Sequence, residues 1–212
     1  MEYETRIFND KESKREGYKK ILSILDGFKK KFNINYIIRD SDMQKNIGNG
    51  NTSVFNDDTG EPEYTYEQLN KPQDNPYNAN GIEVAFHEYY HTLVYAIEKN
   101  NPKLWENLKK EVQNDQELIQ RIINCNYNKD DFKELITTKL GILSRERLSI
   151  DSNIKIVKTC LKNLKGYTKL LKKDIPLENI PENLTISQLA DFIILGKGKI
   201  DLSKYYDQQN YT

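Results

Sequence analysis

The feature that most constrains this chain is a run from Val84 to Val94 that is rich in apolar and aromatic residues and holds both histidines of the protein. His87 and His91 are separated by one helical turn, and Glu88 is the one charged residue of the run. Because charged side chains are rarely fully buried, a stretch with so little charge suits a helix that passes through a core. On such a helix, residues i and i+4 share a face, so both imidazoles can bind one metal ion. The run therefore predicts a buried helix that carries a metal site.

The HExxH pattern of His87, Glu88 and His91, with its apolar flanks, resembles the zincin superfamily of metallopeptidases. The resemblance covers residues 84–94 and, more loosely, residues 131–141. It implies that His87 and His91 bind Zn²⁺ and that Glu88 is the general base and proton shuttle. It also implies a mostly helical, zincin-like fold with the HExxH helix at its centre.

A catalytic zinc site usually has three protein ligands and one open position, so one further ligand is expected after His91. The chain has no third histidine, and position 97 is Ile97, which excludes the longer HExxHxxGxxH pattern and leaves a carboxylate. Glu134 is the preferred candidate. With Thr138 and Gly141 it forms a small-residue face at helical spacing, which would let its helix approach the HExxH helix closely.

Three other carboxylates remain alternatives to Glu134. Glu111 combines with Asp115 in a spacing that resembles thermolysin-like enzymes, but its surroundings are dense in charge and favour a solvated helix surface. Asp131 and Glu146 are the remaining candidates. The segment 132–137 looks like the stretch that carries the third zinc ligand in clostridial neurotoxin light chains, and it also resembles the downstream helix of ArdC-type antirestriction proteins.

Composition limits the partners that we expect. The 32 basic and 32 acidic residues balance, so no global charge attracts the chain to nucleic acid or to a membrane surface. A protein or peptide substrate is expected instead, and the oligomeric state is not indicated. Cys125 and Cys160 do not suggest a disulfide framework, and the N-terminal residues do not resemble a signal peptide, so we expect a cytoplasmic protein.

The spacing of apolar residues predicts an α+β chain that is mostly helical, with a small N-terminal β-sheet. We expect one domain, 1–212, with an N-terminal α/β lobe over about 1–99 and a C-terminal helical lobe over about 100–212. Helices are predicted over 11–32, 82–99, 102–123, 130–147, 152–173 and 185–195, the last with Thr185 as its N-cap. Strands are predicted over 34–39 and 51–56. A long excursion over 57–81 is expected to contain a short element at 64–69.

The pattern predicts a zinc metalloendopeptidase, with Zn²⁺ as the cofactor. The alternative is a zincin-like regulatory or antirestriction protein of a mobile element, with little or no proteolysis. A purely structural zinc site is less favoured, because such sites are closed by four ligands and the two cysteines lack CxxC spacing. Spacing does not select the donor that would stabilise an oxyanion: Arg145, Arg147 and several tyrosines are available. The resemblance further implies that a strand over 52–56 receives an extended peptide as an added strand.

Overall fold

The computed structural model describes residues 16–39, 59–69, 81–149, 167 and 173–206. Within these ranges the α-helices are α1 Glu16–Phe32, α2 Tyr66–Leu69, α3 Gly81–Asn100, α4 Pro102–Val112, α5 Gln116–Asn124, α6 Phe132–Ser149 and α7 Ile186–Leu195. The strands are β1 Ile37–Arg39 and β2 Glu63–Thr65, and single 3-10 turns occur at Leu177–Asn179 and Ser203–Tyr205. The coarse prediction of a mostly helical α+β chain with a small sheet is confirmed.

The central helix is α3, which is buried along most of its length. Helices α1, α4 and α6 pack against it, as expected for a run with so little charge. Two tyrosines from other elements also hold it: the Tyr64 hydroxyl donates to the Ala85 carbonyl at 2.8 Å, and the Tyr206 hydroxyl donates to the Thr92 carbonyl. The predicted helix over 82–99 is therefore confirmed, with one additional residue at each end.

The sheet consists of β1 and β2, which pair in parallel with Ile37 opposite Glu63 and Arg39 opposite Thr65. The predicted strand over 34–39 is shorter than expected, because Asn33 turns the chain with a positive φ of 54° and the strand begins only at Ile37. The short element expected at 64–69 corresponds to the last two residues of β2 followed by α2, which is a single helical turn. The strand predicted over 51–56 lies outside the described residues.

The prediction of one continuous helix over 102–123 is wrong. The chain breaks between α4 and α5, where the Asp115 side chain accepts a hydrogen bond from the Leu118 amide at 3.1 Å and caps α5. An aspartate that bonds the backbone in this way begins a new helix. The apolar stripe continues across the break because both helices pack against α6, so periodicity alone did not reveal it.

The C-terminal elements begin with α6, whose bounds differ from the predicted 130–147 by two residues at each end. The expected N-cap of α7 is confirmed as a capping box: the Thr185 hydroxyl accepts from the Gln188 amide at 3.1 Å, and the Gln188 side chain accepts from the Thr185 amide at 2.9 Å. The predicted helix over 152–173 lies outside the described residues, except for positions 167 and 173.

Buried apolar side chains from α1 to Tyr206 form one hydrophobic cluster that includes both faces of α3. The division into two lobes at about residue 100 stays a prediction. In the part of the chain that the structure describes, no helix combines the length and the apolar character that a membrane span requires.

Candidate metal centre

The structure brings two side chains of α3 together with one side chain of α6. The Nε2 atoms of His87 and His91 lie 3.0 Å apart, and the two rings are nearly perpendicular, at 87°. The carboxylate of Glu134 lies against both rings, with Oε2 at 3.2 Å from His87 Nε2 and Oε1 at 3.3 Å from His91 Nε2. Two ring nitrogens and a carboxylate thus converge on one point.

These distances fit a divalent metal ion. In a tetrahedral zinc site with metal–ligand bonds of about 2.0–2.1 Å, two ligand atoms lie about 3.3–3.4 Å apart. The two Nε2 atoms lie 3.0 Å apart, and each lies 3.2 or 3.3 Å from a different oxygen of Glu134, so these separations are close to that value; with one ligand atom taken from each residue, all three lie within 4.8 Å of one another. Glu134 Oε2 is also buried, 3.2 Å from His87 Nε2, which is costly for a carboxylate oxygen unless a cation, either a protonated imidazole or a metal ion, balances it. The cluster can therefore hold a metal ion.

The charges of the cluster attract one another strongly. Burial raises the pKa of Glu134, but hydrogen bonds to His87 and His91 and the charges of both rings outweigh burial and lower that pKa well below its ordinary value. Burial likewise lowers the pKa of His87, yet Glu134, Glu88 and Glu83 raise it above its ordinary value. When both imidazoles are neutral, the centre therefore carries a buried negative charge that favours a cation.

The register of α3 against α6 places Glu134 opposite the two histidines. Gly141 lies against the backbone of α3: an added Cβ would be 3.5 Å from the Glu83 carbonyl oxygen and 3.9 Å from the backbone nitrogen of His87. The buried Glu83 carboxylate accepts from Arg145 of α6 at 2.8 Å and also from Arg121 of α5. Because Glu83 lies one turn before His87, this ion pair ties the helix that carries both histidines to the helix that carries Glu134.

Glu134 itself is held at the start of α6. The Asp131 side chain accepts from the Glu134 amide at 3.1 Å, which is the bond that an N-terminal capping residue makes. Asp131 therefore fixes the backbone of the candidate ligand and is not part of the cluster. Of the small-residue face expected from Thr138 and Gly141, Gly141 contacts α3 as predicted, whereas Thr138 lines a cavity beside His87.

Glu88 is buried on the same helix, immediately after His87. Its charge helps to raise the pKa of His87 and also that of Tyr127, so the carboxylate acts on both groups. Glu88 thus adjoins the candidate ligand His87 in the sequence and is not part of the cluster itself.

Tyr127 is a neighbour of the centre that sequence reasoning did not select. Its backbone position is set by the end of α5, where Asn126 adopts a left-handed φ of 67°, the Asn126 amide donates to the Ile123 carbonyl and the Tyr127 amide donates to the Ile122 carbonyl. These two bonds form a Schellman motif. The Tyr127 side chain then lines a cavity of about 130 Å³ together with His87 and Glu134. Burial, followed by the charges of Glu134 and Glu88, raises the pKa of its phenol.

A larger cleft of about 550 Å³ opens on the other side of the centre. It begins at His91 and Glu134 and is bounded by α3, α4 and the segment that leads into α6. The candidate ligands therefore border two cavities, and the larger one has room for a bound molecule several residues in length.

The other sequence candidates lie elsewhere. Glu111 Oε2 accepts from the Ile186 amide at 3.0 Å, so this carboxylate holds the start of α7. Glu146 lies near Arg147, and its side chain is half exposed. Arg147 donates to Asp191 at 2.6 Å and joins α6 to α7, whereas Arg145 pairs with Glu83. Neither arginine lines the two cavities described above.

Of the two cysteines, Cys125 is a free, exposed thiol that lines the smaller cavity, and Cys160 lies outside the described residues. Cys125 does not belong to the cluster formed by His87, His91 and Glu134. Similarity to known proteins does not add to this picture: no family model matches the chain, and neither a curated protein nor a solved structure matches it.

Proposed function

We propose that this protein is a zinc-dependent metallopeptidase with a zincin-like fold, in which His87, His91 and Glu134 hold the metal and Glu88 is the general base. The observation that carries the proposal is the convergence of the two ring nitrogens and the two oxygens of the Glu134 carboxylate, at separations of 3.0 to 3.3 Å. The buried Glu88 beside them and the cleft that reaches His91 and Glu134 support it further. A protein or peptide is the substrate that this proposal implies.

Metal binding and proton transfer are assigned to different residues of the chain. The two neutral imidazoles and the Glu134 carboxylate hold the ion, which when bound supplies Lewis acidity and lowers the pKa of a coordinated water towards neutrality. Glu88 accepts a proton as the water oxygen forms a bond to the peptide carbonyl carbon. It then returns the proton to the amide nitrogen as the C–N bond breaks, so no net proton is left on the enzyme.

We assign Tyr127 as the donor to the developing oxyanion. Arg145 and Arg147 are both engaged in ion pairs and line neither cavity, whereas Tyr127 shares a cavity with His87 and Glu134. Tyr127 keeps its proton at neutral pH, as an ordinary phenol does, and burial raises its pKa further, so the hydroxyl can donate a hydrogen bond. A donor aimed at developing charge is a large contributor to acyl-transfer catalysis.

The number of ligands favours catalysis over a purely structural metal. Structural zinc sites are usually closed by four ligands, often including cysteine. Within the described ranges, the cluster that could hold a metal consists of His87, His91 and Glu134, and the nearby Cys125 is not part of it. Three ligands leave one coordination position for water or substrate.

The experiment combines metal analysis with a cleavage assay. We expect about one zinc ion per chain and cleavage of casein or a peptide library that is lost on chelation. Glu88→Gln should retain zinc and the fold but hydrolyse at least about 100-fold more slowly, the scale of a lost general base. Glu117→Gln, an exposed carboxylate of α5, is the matched control and should not change activity.

Three results would contradict the proposal in different ways. Absence of transition metal, even after zinc is added, would remove the metal centre. A zinc-loaded protein that cleaves no peptide would favour the regulatory or antirestriction alternative. Glu88→Gln with unchanged turnover would exclude Glu88 as the base.

A further inference from the structure

The cleft of about 550 Å³ has a composition that points to one kind of substrate side chain. From the metal centre it follows one face of α3, through His91, Tyr95 and Glu98, which recur at helical spacing. Trp105 and Lys109 of α4 form the opposite wall. The segment from Asn128 to the first turn of α6 completes the lining and ends at Glu134, in the metal centre.

The aromatic rings of this cleft already contact ammonium groups. Lys133 Nζ lies 4.0 Å from the centre of the Tyr95 ring. Lys109 Nζ lies 5.2 Å from the centre of the Phe132 ring and 5.9 Å from that of Trp105. Aromatic faces attract cations, and the methylene stem of a long basic side chain packs well on them. These contacts are made by lysines of the chain itself, and a lysine or arginine side chain of a substrate would pack on the surface of Tyr95 and Phe132 that stays partly exposed.

The two lysines of the cleft are themselves neutralised. Lys133 pairs with Glu98 at 2.8 Å, and Lys109 pairs with Glu106 at 3.0 Å. Each lysine thus already has an acidic partner within the chain, which reduces its attraction for an acidic substrate.

Two carboxylates of the cleft, by contrast, are not neutralised. Neither Asp130 nor Asp131 has an ion-pair partner among the residues that the structure describes; Asp131 accepts only the capping bond from the Glu134 amide. Apart from the candidate ligand Glu134, the remaining charge of the lining is thus negative and lies at the end where α6 begins.

We propose that this cleft is the substrate groove of the peptidase and that it selects a lysine or arginine side chain, bound by Asp130 and Asp131 and packed on the aromatic walls. The inference rests on the proposed function for the identity of the substrate as a peptide. It adds the substrate class and names Asp130 as a specificity-determining residue.

Binding can be measured separately from hydrolysis. The zinc-loaded full chain carrying Glu88→Gln binds peptide without consuming it, and Trp105, the single tryptophan of the protein, reports on the cleft by its fluorescence. The probes are blocked alanine hexapeptides in which one position carries arginine, citrulline or norleucine. Citrulline has the shape of arginine without the charge, so the comparison isolates electrostatics; isothermal calorimetry provides a second measurement of affinity.

We expect the arginine peptide to bind about five- to tenfold more tightly than the citrulline peptide, the combined effect of a cation–aromatic contact and a partly exposed ion pair. Asp130→Asn should reduce that ratio to about two- to threefold. Asp130→Asn with Asp131→Asn should abolish it, and asparagine at position 131 still caps α6. Glu117→Gln, whose carboxylate does not line the cleft, should leave the ratio unchanged.

Equal affinity for the arginine and citrulline peptides would overturn the proposed selectivity. If none of the peptides binds to the zinc-loaded protein, the cleft is not a peptide groove. A preference for arginine that disappears in the double variant would support the inference even if the wild-type protein cleaves none of the peptides. In that case the proposed hydrolysis fails, and the assignment of the cleft stands.

Discussion

Replacing Glu134 by alanine should abolish the thermal stabilisation that zinc confers. A ligand that binds only the folded state stabilises it by RT ln(1 + [L]/Kd), which is about 4 kcal/mol when free zinc is a thousand times Kd. For a chain of this length, 1 kcal/mol shifts Tm by roughly 2–4 °C. Zinc should therefore raise the Tm of the wild-type protein by about 8–16 °C. Glu134→Ala removes one of three ligands together with the negative charge that balances the ion, so the shift should nearly vanish.

Replacing Glu111 should have the opposite pattern. This carboxylate accepts a hydrogen bond from the Ile186 amide at 3.0 Å, and its loss leaves the start of α7 without that acceptor. Such a bond contributes about 1 kcal/mol, so Glu111→Ala should lower Tm by roughly 2–4 °C with and without zinc. Glu111→Gln retains an acceptor oxygen and should recover most of the loss.

The assay is thermal unfolding followed by circular dichroism, with each protein measured in chelator and in excess zinc. Because the Tm of each variant in zinc is compared with the Tm of the same variant in chelator, a general loss of stability is not mistaken for a loss of metal binding. If Glu111→Ala loses the zinc shift and Glu134→Ala keeps it, the assignment of the third ligand is refuted. If both variants keep the shift, the third ligand lies outside both positions.

Three further predictions concern neighbouring residues. Tyr127→Phe should keep zinc and KM but lower kcat by about 10- to 100-fold, because one oxyanion donor is lost; an unchanged kcat would exclude this role. Gly141→Ala should stabilise the fold by up to about 1 kcal/mol in denaturant unfolding, because the added Cβ meets its neighbours at 3.5 Å or more. Gly141→Leu should instead force α3 and α6 apart and weaken zinc binding. Equal effects of the two substitutions would contradict the packing argument. Burial lowers the pKa of Lys31 from an ordinary value of 10.5 to about 8, although the charge of Asp174 acts in the opposite direction. Between pH 8 and pH 10.5 the unfolded chain therefore binds more protons than the folded chain. The free energy of unfolding should rise with pH in that window and not below pH 8. Lys31→Met should remove this rise, and a rise that persists in the variant would assign it to other groups.

The central helix and the residues at its centre were predictable because one short segment carries all the information. Few charges over residues 84–94 predicted burial, and the spacing of His87 and His91 predicted a shared face. Glu134 was chosen from the small residues that follow it, a pattern that depends only on helical spacing. The structure places that carboxylate beside both rings.

Features that depend on contacts between distant segments were not predictable in the same way. The break at Asp115 interrupts a stripe that stays apolar on both sides, so the periodicity concealed it. The parallel pairing of β1 with β2 joins strands separated in sequence by residues 40–62, and no local pattern specifies such a partner. Tyr127 reaches the centre only because of the turn at Asn126; asparagine is among the few residues that adopt this conformation readily, and that was the available signal.

The short connection between α5 and α6 borders both sides of the candidate centre. Cys125 and Tyr127 line the smaller cavity, whereas Asn128, Asp130 and Asp131 line the larger cleft. Both histidines, in contrast, belong to a helix embedded in the core, where substitutions are costly. Under the proposed function, Tyr127 and Asp131 of this connection serve the centre, whereas positions 128 to 130 only border the larger cleft. For protein engineering, positions 128 to 130 are the ones to randomise, because new recognition properties can be sought there while Tyr127, the Asp131 cap and the helix that carries the histidines are left intact.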